Sequence, residues 1–233
     1  MRNRLAFALP FAWKAVRPPM EWGNRRQRPR VFDGPFIDPS LFPWASSLEA
    51  QAGAINSEMM GLFGNWEWLQ PIAGTTEYQG RIGVTGWDLG FIYAFGIWRP
   101  GFASECPETF TALSSIPNLR LAFISSLAAG AHIPCHRGLY NSFIRCHLGL
   151  HVPHPRLAHI RVSGELAHWE RGRLLAFDDS RVHEVWNEAS EERVVLVFDV
   201  ELDNGRFMNC LNGVLVRILK NTPYVKTPLA ALR

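Results

Sequence analysis

From about residue 121 the chain breaks into short apolar or alternating runs. "LAFISSLAAG", "NSFIRCHLGLHVP", "LAHIRVSGELAHW", "RLLAFDDS" and "ERVVLVFDVEL" follow one another, separated by turn signals at Gly130, Pro153–Pro155, Gly164 and "ERGR". Short runs at this spacing predict an all-β sandwich or barrel. Upstream, Leu48, Ala52, Ile55, Met59 and Leu62 recur at helical spacing, with Asp38 or Ser40 as the capping residue. "GWDLGFIYAFGIW", from Gly86 to Trp98, is aromatic and β-prone, and residues 107–120 read as a second short helix with Leu113 and Ile116 on one face. "FMNCLNGVLVRILKNTPYV" reads as a C-terminal helix that stops near Pro223. The pattern divides into three parts: a basic, Pro-rich arm over 1–37, a mainly β domain of jelly-roll or cupin-like type with N-terminal helices over 38–203, and a helical extension over 204–233.

Composition adds little to this picture and removes several function classes. Hydrophobic residues make up 47% of the 233 and charged residues 19%, which suits a sizeable core and argues against global disorder. A net charge of +3 does not point to nucleic acid, and none is expected as a partner. The excess is partly local, at Arg25, Arg26, Arg28 and Arg30, which read as a solvated arm. Cys106, Cys135, Cys146 and Cys210 form no CxxC pair, so reduced thiols in a cytoplasmic protein are expected. The apolar run near the N-terminus is broken by Pro10 and is too short to span a bilayer. An amphipathic segment lying on a surface is the expectation there, which makes peripheral membrane contact a secondary one.

All eight histidines lie between His132 and His183. His151, His154, His159 and His168 flank turns or strand ends, where a surface histidine is the default. His136, in the turn-rich "AGAHIPCHRGLYN", and His183, after the turn "DDSRV", can meet at one open end of a jelly roll. Imidazoles there suit a borderline ion such as Fe(II), although two distant histidines alone carry little weight. Arg193, ten positions after His183, changes that. A strand starting at Arg193 sends Arg193, Val195, Val197 and Asp199 to one face. A buried guanidinium needs an anion. Asp199, Asp178 or Asp179 could supply it as a structural ion pair, or a small dicarboxylate ligand could. Arg145 and His147, two apart on another strand, share a face and add two more polar groups.

"CHRGLYNSFIRCHLGLHVP", then "WERGRLLAFDDSRVHEVWNEA", then "RVVLVFDV", resemble the aspartyl/asparaginyl β-hydroxylase family, over roughly Phe36 to Leu202. The resemblance implies a double-stranded β-helix and an oxygenase that uses Fe(II), 2-oxoglutarate and O2. It implies that His136 and His183 hold the iron, that Arg193 grips the distal carboxylate of 2-oxoglutarate assisted by the Ser125 hydroxyl, and that Arg145 and His147 lie near its other carboxylate. Gly138 stands where the usual two-histidine, one-carboxylate triad carries its acid. Animal members of the family share that gap. Asp179 could steady a water on the iron from behind, or could cap the "FDDS" turn.

The resemblance implies hydroxylation of an unactivated C–H, foremost the β-carbon of an Asp or Asn side chain in a small or flexible substrate. A lipid A acyl chain, the substrate of some bacterial relatives, is the alternative within the family. Outside it stand a non-catalytic cupin-like binding module and a hydrolase or isomerase on the same barrel, neither of which needs an arginine ten residues after the second histidine. Oligomeric state is left open.

Overall fold

The computed structural model describes residues 34–64, 70–71, 84–138, 143–202, 213–214 and 217. The expectations for the basic arm up to residue 33, and for Cys210, lie outside these residues. So does the C-terminal helix, except that Gly213, Val214 and Arg217 are helical.

Twelve strands and four short α-helices form the described part. Strand β1 (Phe36–Ile37) precedes helices α1 (Ala45–Ala50) and α2 (Ala52–Phe63), then β2 (Gln70–Pro71), β3 (Trp87–Ala94) and β4 (Ile97–Trp98). Helices α3 (Phe102–Glu105) and α4 (Pro107–Ser114) lead into β5 (Leu119–Leu127), β6 (His132–His136), β7 (Phe143–His151) and β8 (Ala158–Val162). The chain continues through β9 (Glu165–His168), β10 (Leu174–Phe177), β11 (His183–Asn187) and β12 (Arg193–Glu201).

The strands form two antiparallel sheets. The larger runs β1-β10-β7-β12-β5-β3-β2 with β4 on β3, and the smaller runs β6-β11-β8-β9. This is the mainly β, jelly-roll architecture that the alternation of residues predicts and the double-stranded β-helix that the family resemblance implies, with helices on one side. The run "LAHIRVSGELAHW" divides into β8 and β9 at Ser163–Gly164, both at positive φ. Phe36 and Ile37, at the end of the stretch read as an arm, pair with Phe177 and Ala176 of β10.

The predicted N-terminal helix is two helices, split at Gln51, whose backbone closes α1 and opens α2. Asp38 caps a short 3-10 turn, Pro39–Leu41, instead of the helix itself. The second predicted helix ends at Ser114, because the chain must turn to enter β5 at Leu119; Ile116 is still buried beyond its end.

Strand β12 shows how the two cores are built. All nine of its residues are buried, between β5 and β7. Val194, Leu196, Phe198 and Val200 point to the helix side, where they join Leu48, Ala52, Ile55 and Met59. Val195 and Val197 point between the sheets, with Leu127, Ile160, Val162, Trp169 and Phe177. Period-two alternation therefore serves two apolar layers here, which is why the run reads as nearly continuous apolar sequence.

Two carboxylates tie the helices down. Glu58 of α2 accepts the Glu108 and Thr109 amides at the start of α4, at 2.9 and 2.8 Å. Glu49 of α1 accepts the Leu174 amide of β10 at 2.8 Å. Orphan N–H groups at a helix start and a strand start are satisfied by side chains from neighbouring elements. Gly149 of β7 is another contact point: a Cβ there would run into the backbone carbonyl of Glu170. The Gly172 amide donates back to the Gly149 carbonyl at 2.7 Å, so the turn after Trp169 lies flat against β7.

Candidate active site

The site lies between the sheets, and strand register assembles it. His136 ends β6 and His183 begins β11; the two are direct cross-strand partners, with ring centroids 4.1 Å apart. Each imidazole is oriented by a backbone carbonyl two residues earlier in the chain. His136 Nδ1 donates to the Pro134 carbonyl and His183 Nδ1 to the Arg181 carbonyl, both at 2.9 Å. A carbonyl only accepts, so the proton sits on Nδ1 and each Nε2 presents a lone pair. This is the arrangement by which metal-ligating histidines are fixed. Burial, reinforced by the neighbouring His183, lowers the His136 pKa to about 4, which keeps it in the neutral form a metal requires.

Among the described residues no three His, Cys, Asp or Glu side chains gather as a ready-made metal cage. The third group is offset: Asp179 Oδ1 lies 3.5 Å from His183 Nε2 and accepts from Arg145 Nη1 at 2.7 Å. The turn-capping role falls to Asp178, which accepts from the Ser180 amide and hydroxyl and from Arg181 Nε. Gly138 opposes Asp179 directly. Its amide donates to the Asp179 carbonyl at 2.7 Å, and a Cβ on residue 138 would overlap the Asp179 carboxylate.

Arg145 on β7 faces Asp199 on β12 across the ladder. Arg145 Nε and Nη2 donate to the two Asp199 oxygens at 2.8 Å each, a bidentate fork. Burial pushes the Asp199 carboxyl up from its usual range, and the fork opposes that rise. Arg145 is thus braced between two carboxylates.

Arg193 opens β12 at 2% exposure. Its Nε has no hydrogen-bond partner, and its guanidinium carbon sits 4.5 Å above the Trp169 ring centroid. Burial lowers its pKa to about 9, which still leaves it a cation at neutral pH. The three acids that could have paired with it are otherwise engaged: Asp199 with Arg145, Asp179 with Arg145 beside His183, and Asp178 in its turn.

His147 lies two residues from Arg145 on the inward face of β7, across from Val197 and Leu175. It lies edge to edge with Trp169 and nearly coplanar with it, with centroids 5.8 Å apart and 12° between planes. Ser125 on β5 is buried between Val195 and Leu89, and its Oγ accepts from Trp87 Nε1 at 3.0 Å. The Trp87 ring lies 6.1 Å from that of His136.

The fold therefore brings Ser125, His136, Arg145, His147, Asp179, His183 and Arg193 into one inter-sheet space. Trp87, Trp169 and Asp199 share it. Sequence pattern does not single out either tryptophan; only their burial against polar partners marks them. The residues fit a two-histidine metal site beside an anion pocket. The His136 and His183 rings lie side by side with their Nδ1 atoms engaged and their Nε2 atoms left as acceptors, and the orphan Arg193 Nε supplies the unmatched cation.

A sequence profile of the aspartyl/asparaginyl beta-hydroxylase family matches residues 49–202. An ornithine lipid ester-linked acyl 2-hydroxylase from Rhizobium tropici is 35% identical over 84% of this chain and 70% of its own length. Human aspartyl/asparaginyl beta-hydroxylase is 37% identical over 46% of this chain, a match that spans 15% of the human protein. A Pseudomonas putida prolyl-4-hydroxylase structure covers 68% of this chain and 99% of its own at TM-score 0.47 and 16% identity. No helix among the described residues is long and apolar enough to cross a membrane. The chain belongs to the aspartyl/asparaginyl β-hydroxylase family of hydroxylases.

Proposed function

We propose that the protein is an Fe(II)- and 2-oxoglutarate-dependent dioxygenase that hydroxylates an unactivated C–H bond. One observation carries the reading: Arg193 is a buried cation whose three candidate counter-acids are committed elsewhere, and it faces, from the opposite sheet, two imidazoles whose Nδ1 atoms donate to main-chain carbonyls. A buried unpaired charge costs several kcal/mol, on the order of the penalty for breaking a buried ion pair, so its retention argues for an anionic ligand. A dicarboxylate that reaches from the metal to Arg193 meets both requirements.

His136 and His183 would hold the metal. Bound iron with O2 supplies the oxidising chemistry, in which 2-oxoglutarate is converted to succinate and carbon dioxide. The chain's own part is orientation and exclusion of water. Arg193 would receive the distal carboxylate, and Ser125, fixed by Trp87, would offer a hydroxyl to it. Arg145 and His147 face the other carboxylate. Asp179, beside His183 but outside bonding distance of its Nε2, would accept from a water on the metal. Phe177 packs edge-on against both His147 and His183, keeping that wall apolar.

Two substrates share one chemical position. The β-carbon of an Asp or Asn residue and carbon 2 of an acyl chain are both methylenes bonded to a carboxyl-derived carbonyl. We take that methylene as the target. The Asp/Asn side chain of a small or flexible substrate is the first reading. An ester-linked acyl chain is the second, favoured by the coverage of the Rhizobium relative, and it would bring the protein to a membrane surface.

The test is succinate release from 2-oxoglutarate by anaerobically Fe(II)-loaded protein on admission of air, for wild type and His183→Ala. Succinate from wild type alone is the expected result. Its absence, together with no rise in melting temperature on adding Mn(II) and 2-oxoglutarate, would overturn the reading and favour a non-catalytic cupin-like module. Aspartyl peptides and lipid vesicles added to parallel reactions separate the two substrate readings by which one accelerates release.

A further inference from the structure

Three histidines line the site, and their neighbours set them in opposite senses. His136 and His183 give their Nδ1 protons to main-chain carbonyls. His147 does the reverse: its Nδ1 lies 3.2 Å from Trp169 Nε1, and an indole nitrogen can only donate. The Nδ1 atom of His147 is therefore the acceptor.

We propose that Trp169 is a positioning residue that locks His147 as the Nε2–H tautomer, so that His147 presents a hydrogen-bond donor, not a metal-binding lone pair, to the carboxylate of 2-oxoglutarate. The inference rests on the cosubstrate reading above.

Two independent features support it. The indole serves two groups at once, since its edge meets the nearly coplanar His147 ring and its face carries the Arg193 guanidinium 4.5 Å above its centroid. Trp169 is itself 1% exposed, so its N–H must find a partner inside the protein, and His147 Nδ1 is that partner. Burial, with Arg193 next in size, also holds the His147 pKa well below the ordinary histidine value, so the ring is neutral and its tautomer matters. A metal then sees two nitrogen lone pairs, while an anion between the sheets sees an arginine and an N–H. A third imidazole of the wrong tautomer would compete for the metal and repel the carboxylate.

The experiment is long-range proton–nitrogen NMR on the full chain labelled with 15N-histidine. Zn(II) replaces iron so that the protein stays diamagnetic, and loss of signals in His147→Gln identifies His147. Wild type is expected to show His147 protonated at Nε2 and bare at Nδ1, the reverse of His136 and His183 in the same spectrum. Trp169→Phe keeps an aromatic face at this position and removes the donor together with one ring of the indole. It is expected to populate both tautomers and to weaken 2-oxoglutarate binding to the Zn(II) protein roughly three- to tenfold by calorimetry. His147→Gln, whose amide can donate from near the Nε2 position, should bind 2-oxoglutarate more tightly than His147→Asn. A proton on Nδ1 of wild-type His147, or a Trp169→Phe spectrum identical to wild type, would overturn the proposal. Should Trp169→Phe not fold, the wild-type spectrum and the Gln/Asn pair decide the matter. Wild type that fails to bind 2-oxoglutarate at all would instead sink the cosubstrate reading, and the tautomer spectrum would still report on Trp169.

Discussion

The Asp179 carboxylate occupies the space that a side chain on residue 138 would fill. The Gly138 amide donates to the Asp179 carbonyl, and a Cβ at 138 would overlap Asp179 Oδ2. A carboxylate thus stands where a side chain after the first histidine would lie, supplied by the turn between β10 and β11, where Arg145 also holds it.

That overlap predicts coupling between the two positions. Gly138→Ala alone should displace Asp179, lower metal affinity at least tenfold, and cost about 1–3 kcal/mol of stability through overpacking. Asp179→Ala should remove the clash, so the double variant should be more stable than the two single changes sum to. Chemical denaturation of all four proteins in a double-mutant cycle measures the coupling, and strict additivity would refute it.

Arg193→Met should separate stability from binding. Replacing a buried, unmatched guanidinium with an apolar side chain of similar length is expected to leave the ligand-free protein as stable or to stabilise it by about 1–3 kcal/mol. The same change should abolish the thermal shift from Mn(II) with 2-oxoglutarate. A Met variant that loses several kcal/mol without ligand would mean that Arg193 has an unseen structural partner.

Asp199→Asn takes the charge and one of the two acceptors from the fork that braces Arg145. Breaking one side of a buried pair should cost about 3 kcal/mol, measured by urea denaturation. Turnover should fall with it, because Arg145 is held less firmly in place.

Asn187 is a quieter determinant of the anion pocket. Its buried side-chain amide donates to the carbonyls of Leu127, Ala128 and Glu191, pinning the end of β5 to the loop that delivers Arg193. Asn187→Ala leaves three carbonyls without that donor, so about 2 kcal/mol of stability should be lost. The KM for 2-oxoglutarate should rise more than kcat falls, since the metal ligands are untouched.

The sequence carries His183 and Arg193 clearly, because they open two consecutive strands and period-two alternation decides which face each takes, although β11 and β12 lie in different sheets and form no hairpin. Arg145 and His147 were legible for the same reason, being two apart on one strand. What escapes the sequence is pairing between distant strands. Asp199 shares the face of Arg193, yet the ladder sets it opposite Arg145, and only strand register could show that. Trp87 and Trp169 carry no local pattern; Trp169 lies just past the end of β9, and its partners come from β7 and β12. The division between α1 and α2 was hidden because the helical spacing of Leu48, Ala52 and Ile55 continues unbroken across Gln51.

Gly149 sets a limit on how this barrel can vary. Its bare Cα lets the Glu170 carbonyl settle against β7, and Trp169 is the residue next to that carbonyl. Any side chain at 149 would lever the turn outward and draw the indole away from both Arg193 and His147. In a saturation library selected only for cosubstrate-dependent turnover, position 149 should therefore admit glycine alone, although it would touch neither metal nor ligand. The tolerance map of the protein would show a forbidden position on the far side of the tryptophan, where the shape of the pocket is decided by the path of the backbone.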